Sequence, residues 1–460
     1  MSIVGYIFLS LFVLFISWRL FRRASGDMSI FRPNLISFTF YYALVAQSFV
    51  GVNIVIHWLD NHYLISKIRD SDVRQMAYFA VLYVMVTMPF AMWVTCRFLG
   101  TRPRSLLKRY VRAPLISALS PKDSFVFYPL VFLTLLCFIA ILYTFYTLRQ
   151  IPLMAVISGA SAEELSITRV TTYRGFQGNI YLRNIVAVGF TPILSYIAIG
   201  YSLMYKTLKW KTLSFALVSL AFIVVTYDLS KAPLINYLLG IVFLLVLAGK
   251  LKRKHVLLIG GGLFLLIIIM YVLLGHVTDP RLLFAWNTGP IGRIILGQVT
   301  SLFYHFRIFP DMHPFLHGAS LPALFLKMMG SSIEHKTSAR LVMEIVNPAG
   351  IASGSAGVMN TLFVAEAYAN WGWPGLVLAP FWVGLVIQTI YIFFLRSRKT
   401  PVLLGLFAFL AYKIPSMVTG GFIGFVYNPG MLAIVLLGLS PYIGGIVSKT
   451  MLWKPQHHAS

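Results

Sequence analysis

Acidic residues are scarce in this chain. Thirteen Asp and Glu stand against 38 Lys and Arg, and the four types together make up only 11% of the 460 residues. Hydrophobic residues supply 58% and the mean hydropathy is +0.81. No soluble core is large enough to hide that much apolar side chain, so a soluble globular protein is excluded. Cysteine is nearly absent: Cys96 and Cys137 are the only two, each within or at the end of an apolar run, which excludes a disulfide framework. There is no HExxH and no cysteine pair to suggest a metal centre. No fixed internal repeat and no inverted pair of halves is visible, which counts against the common secondary-transporter plan.

What is present is a series of apolar runs long enough to cross a bilayer. Spans are expected at Ile3–Trp18, Asn34–Leu59, Met76–Thr95, Phe125–Leu148, Asn184–Tyr205, Thr212–Tyr227, Ala232–Ala248, Val256–Leu274, Pro374–Leu395, Pro401–Val418 and Met431–Val447. The fold class is therefore all-α, a polytopic integral membrane protein with about 11 transmembrane helices (roughly 10 to 13). Three regions follow: N-terminal membrane helices over 1–275, a large outer segment over 276–373 holding the candidate active site, and C-terminal membrane helices over 374–460. Within the outer segment, Ile291–Phe309 and Gly357–Ala369 are apolar enough to dip into the bilayer as re-entrant helices.

The formal charge of +25 suggests an anionic partner when read as a sum. Its positions argue otherwise. Basic clusters follow Trp18, fill the stretch from Arg97 to Lys122, and recur at Lys206–Lys211, Lys250–Lys254 and Arg396–Lys399 and in the C-terminal tail. Asp27 and Asp123 are the only carboxylates in those loops. This alternation is the positive-inside pattern, so membrane lipids are the partner of the charge and nucleic acid is not. The first apolar run carries its positive charges after it, unlike a secretory signal peptide, and reads as an uncleaved helix with its N-terminus outside. The C-terminus then falls in the cytoplasm.

The stretch 334–375 breaks the apolar monotony with ionisable groups, tandem small residues and the pair Trp371 and Trp373, whose default role is interfacial anchoring. Arg281, Arg293, Arg307, Lys336 and Arg340 lie in the large outer segment, and Arg169, Arg174 and Arg183 in an earlier outer loop that also holds Glu163 and Glu164. Guanidinium forks bind phosphate bidentately and stay charged in a dry site. Arg293 sits inside an apolar run, where it either faces an anion, pairs with Asp279 or snorkels to the interface. Lys231, in the charged turn Asp228–Lys231 between two short spans, either points into an outward cavity or neutralises Asp228. Glu344 and Glu366 are the carboxylates most enclosed by apolar neighbours and suit general-base work; the structural alternative is an ion pair, for Glu344 with Arg340 one helical turn before it. His305, Asp311, His313 and His317 cluster in sequence, but Pro310 and Pro314 interrupt the helical spacing a metal would need. The small-residue run around Gly350, Gly354 and Gly357 favours helix packing over a phosphate cradle.

The string EAYANWGWPG, with Glu366, Tyr368, Asn370, Gly372 and Gly375 entering an apolar span, resembles the pattern of Wzy-type polymerases of O-antigen and related polysaccharide repeat units. MEIVNPAG upstream, with Glu344 and Asn347, and the arginine-bearing segment from Arg281 to Phe303 are similar to elements of the same family. The spacing of arginine to glycine in the earlier loop departs from the family's motif. The resemblance implies a metal-independent glycosyltransferase of the bacterial inner membrane with no cofactor. It would act on polyprenyl-diphosphate-linked oligosaccharide on the periplasmic side, with a chain-length regulator as a possible partner. Glu366, Glu344 and Arg293 would then be catalytic, and Arg169, Arg174, Arg183, Lys231, Arg281, Arg340, Tyr368 and Asn370 would contact substrate. The alternatives are an O-antigen ligase, which passes the glycan to lipid A core, and a lipid-linked oligosaccharide flippase or transporter.

Overall fold

The computed structural model describes residues 2–452 apart from 118–123, 149, 161–163, 166–167, 170–171, 173–174, 276–278, 288 and 354–355. The main helices are α1 (Ile3–Ser25), α2 (Leu35–Ile56), α3 (Ser71–Phe98), α4 (Pro103–Arg112), α5 (Ser124–Thr147), α6 (Leu182–Tyr205), α7 (Leu208–Thr226), α8 (Lys231–Leu247), α9 (Arg253–Gly275), α10 (Gln298–Ile308), α11 (Ser338–Val346), α12 (Phe363–Arg396), α13 (Pro401–Val418) and α14 (Pro429–Leu452). The described residues contain no strand. Among the described residues, ten helices are long and apolar enough to cross a membrane, and α8 is a shorter apolar one. The molecule is an all-α, multi-pass membrane protein. Each expected span coincides with one of these eleven helices, because in the absence of water every backbone polar group must be satisfied within the segment.

Local chemistry sets several boundaries. Ser2 caps α1 by accepting the Gly5 N–H, and Arg22 and Arg23 occupy its last turn, where cations suit the helix dipole. Asn34 and Ser37 form a reciprocal capping box at the start of α2. Asp70 caps α3 through the N–H groups of Asp72 and Val73. Three helices carry π-helical stretches: Thr39–Phe49 in α2, Leu182–Phe190 in α6, and Arg293–Gly297 immediately before α10. Such stretches recur at functional sites. Helix α12 is broken by Gly372, whose φ of 63° and ψ of −144° no other residue adopts cheaply. A Cβ there would also meet the Phe315 ring at 3.1 Å.

The chain divides into two compact units. The first comprises Met1–Lys108, Ile268–Leu395 and Ala411–Asn428; the second comprises Arg109–Ile267, Arg396–Leu410 and Pro429–Ser460. In the first, α1 and α10 pack on α3, and α11 packs on α10. In the second, α6 lies against α7, and α5 against α14. The expected re-entrant stretch at 291–309 is the π turn plus α10. At 11 residues α10 is too short to span, and it is buried on nearly every side, His305 included.

Candidate functional site

The first unit encloses a cavity of about 620 Å³. One wall is the loop between α2 and α3, with His62, Tyr63 and Leu64. A second is the segment before and into α10, with Asn287, Arg293, Gln298 and Ser301. The third is formed by Met343 of α11 and by Val358, Met359 and Asn360. Among the described residues, Arg293 is the cation in this lining, its side chain exposed, and no carboxylate lines the cavity. It opens the π turn Arg293–Gly297, a wider coil that presents its side chain ahead of α10.

The α2–α3 loop is held by an ion pair that the sequence reading did not single out. Arg74 bridges Asp60 with Nη1 to Oδ1 at 2.7 Å and Nη2 to Oδ2 at 3.3 Å, and both side chains are at most 2% exposed. The same guanidinium donates from Nε to the Ile68 carbonyl and from Nη1 to the Val55 carbonyl, at 2.9 and 2.8 Å. The Trp58 ring lies 3.6 Å from its carbon. Further ties come from Tyr304, whose hydroxyl donates to the Leu64 carbonyl, and Asn287, which accepts the Asn61 N–H. His62 is thereby fixed at the cavity wall, with the Leu64 N–H donated to its Nδ1 at 3.4 Å. Burial pushes the His62 imidazole below its ordinary pKa, against the opposing pull of the Asp60 carboxylate. Burial thus favours its neutral form, which can accept a proton.

Behind the cavity lies His305, completely buried. Its Nδ1 lies 2.7 Å from the Ser301 carbonyl and its Nε2 3.1 Å from the Ser338 hydroxyl, while Ser301 donates to the Met359 carbonyl at 2.7 Å. This network joins α10, α11 and the 359 strand of backbone, two of whose members line the cavity. Burial drives the His305 pKa down to about 4, partly offset by the backbone hydrogen bond. It is a core histidine.

The expected site residues fall into distinct places. Of them, Arg293 alone lines the cavity. Glu344 pairs with Arg340 at 2.8 Å across one helical turn, with both side chains 41% exposed, which is the ion-pair alternative. Glu366 is buried, and its Oε2 accepts the Ile423 N–H at 2.9 Å. The absence of a side chain at Gly421 makes room for that carboxylate, since a Cβ there would lie 2.4 Å from Oε2. Asn370 is fully buried and saturated. Its Oδ1 accepts from the N–H groups of Gly318 and Ser320, and its Nδ2 donates to the Ser320 hydroxyl and the Glu366 carbonyl. Tyr368 packs edge-on against Phe306, Phe315 and Trp373. Within the motif EAYANWGWPG, Glu366 fixes the 421–423 turn, Asn370 pins the 316–320 loop, and Gly372 breaks the helix just after them. Arg281 is exposed in the short helix Pro280–Phe284.

Arg169, Arg183 and Lys231 belong to the second unit, and Arg174 and Glu163 lie outside the described residues. Arg183 is buried, donates to Asn184 and to the Thr172 carbonyl, and covers the Phe176 ring at 4.4 Å. Arg169 holds a buried Nε with no hydrogen-bond partner among the described residues. Lys231 is half-buried at the first position of α8, and Asp228 accepts the Ser230 N–H.

These features define a membrane protein with a polar, cation-bearing cavity in an otherwise apolar helical body. No protein-family model matches the chain, and neither a curated protein nor a solved structure is significantly similar to it.

Proposed function

We propose that this protein is a membrane glycosyltransferase that joins polyprenyl-diphosphate-linked oligosaccharide repeat units into a surface polysaccharide. One observation carries the reading: Arg293, in a membrane protein, faces a cavity of about 620 Å³ whose lining, among the described residues, holds no carboxylate. That combination suits a sugar with an anionic leaving group. Asn287, Gln298, Ser301 and Asn360 offer hydrogen bonds to glycan hydroxyls, and the guanidinium answers the phosphate. In the transfer, an acceptor hydroxyl oxygen attacks the anomeric carbon as the bond from that carbon to the diphosphate oxygen breaks. The diphosphate leaves with the electron pair, and Arg293 stabilises its developing charge. The hydroxyl proton passes to the neutral imidazole of His62. Glu366 and Glu344 then serve the fold rather than the reaction.

The charge pattern of the loops supports placing this cavity on the outer side of the bacterial inner membrane, with the N-terminus outside and the C-terminus in the cytoplasm. The test is reconstitution of the purified chain with lipid-linked repeat units. Chain growth is expected. Translocation of the units across a proteoliposome without covalent change would replace the reading with a flippase, and transfer only to lipid A core would replace it with a ligase.

A further inference from the structure

A second cation inside the apolar helical body is Lys413. It lies within α13, the most enclosed of the ten long helices, with 78% of its apolar window buried. From Leu404 to Tyr412 every residue of α13 is buried. Beyond that, Lys413, Ser416 and Met417 are half-exposed and Gly420 is exposed. Ser416 and Met417, three and four residues on, share one helical stripe with Lys413, so the helix presents a half-exposed face that begins at the lysine. Among the described residues the Lys413 ammonium meets no carboxylate and no hydrogen-bond acceptor. A lysine left unpaired within a membrane span faces a counter-charge or a wet cavity.

This face has a fixed neighbour. The 421–425 turn runs beside it, and a Cβ on Gly424 would meet the Met417 methyl at 3.3 Å. That turn is fastened twice, by Glu366 at the Ile423 N–H and by Trp382, whose indole N–H donates to the Phe425 carbonyl at 3.0 Å. On the helix, Thr419 donates to Gln47 of α2 at 3.1 Å, which fixes the rim. Lys413 lies five residues inside the end of α13, about 8 Å along its axis. A free anion must leave water to reach that depth, whereas a phosphate carried on a lipid chain arrives there with its tail still in hydrocarbon.

We propose that this face of α13 binds a phosphate or diphosphate borne on a lipid, with Lys413 as its counter-charge. The assignment rests on the preceding reading for the identity of the carrier, a polyprenyl diphosphate, and gives that carrier a holding point apart from the Arg293 cavity.

The test uses the full chain in phosphatidylcholine nanodiscs, with radiolabelled polyprenyl diphosphate as probe and inorganic diphosphate as competitor. Wild type binds the probe, Lys413→Gln weakens binding by about tenfold or more, and Lys413→Arg keeps it within about threefold. Inorganic diphosphate fails to compete. Binding by Lys413→Gln equal to wild type overturns the proposal and leaves a lysine that merely reaches the interface. Equal competition by inorganic diphosphate overturns the lipid assignment in favour of a soluble anion. Melting temperatures of both variants, with Lys413→Met as a third, separate a lost site from a lost fold. Should wild type bind the probe through Lys413 yet never extend a glycan, the polymerase reading falls and the Lys413 assignment stands.

Discussion

Removing the charge of Asp60 tests the clamp that builds the cavity wall. In Asp60→Asn the side chain keeps its shape and one oxygen, but the buried Arg74 guanidinium loses its counter-ion while remaining 2% exposed. Breaking one side of a buried pair costs about 3–5 kcal/mol. Here the Val55 and Ile68 carbonyls still accept from Arg74, which places Asp60→Asn near the lower bound, about 3 kcal/mol. Arg74→Ala strands the carboxylate and both carbonyls together and falls near the upper one. A double change to Arg74→Met and Asp60→Leu removes both charges and restores most of the stability, since apolar replacements of buried pairs are often neutral or better. The assay is denaturant unfolding in mixed micelles, with limited proteolysis of residues 57–69 as a local readout. Asp60→Asn within about 1 kcal/mol of wild type, with the loop still protected, refutes the clamp.

Three further outcomes follow from the geometry. Glu366→Ala leaves the Ile423 N–H buried without its acceptor and lowers stability by about 1–3 kcal/mol, whereas Glu366→Gln, which keeps an oxygen, retains folded protein on size-exclusion chromatography. Arg340→Ala and Glu344→Ala each shift stability by less than about 1 kcal/mol, because their ion pair is solvent-screened; a larger loss in the same unfolding assay contradicts the surface placement. His305, with a folded pKa of about 4 against about 6.5 unfolded, contributes stability that is complete above pH 6.5 and is lost as pH falls toward 4. Acidifying from pH 7.5 to 5 removes about 2 kcal/mol, and His305→Gln, though less stable at neutral pH, loses this dependence.

The membrane-spanning plan was legible because apolar run length and flanking charge report it directly, down to the short α8. The Arg340–Glu344 pair was legible from a spacing of four residues on one helix. The cavity was visible only in part. Arg293 stood out as a cation in an apolar run, but His62 gains its place from a loop clamped by Arg74, and Arg74 reads in the sequence as an ordinary charge near a helix start. The apolar neighbours of Glu366 foretold its burial, while those of Glu344 misled, since its side chain is 41% exposed. The partners of Glu366 and Asn370 did not follow, because the 421–423 turn and the 316–320 loop come from remote segments, and a motif with carboxylate, amide and tyrosine looks the same whether it faces a substrate or its own backbone. Arg183 illustrates the same ambiguity, being occupied by Thr172 and Asn184.

The most direct measurement compares wild type, Arg293→Ala and Glu366→Gln in extending polyprenyl-linked repeat units in reconstituted membranes. Because Arg293 is exposed and outside the buried networks, Arg293→Ala is expected to remain folded and to lose about 100-fold or more in the rate of chain growth, while Glu366→Gln stays within about tenfold of wild type. Wild-type chain growth by Arg293→Ala, or its abolition by a well-folded Glu366→Gln, contradicts the placement of the reaction in this cavity.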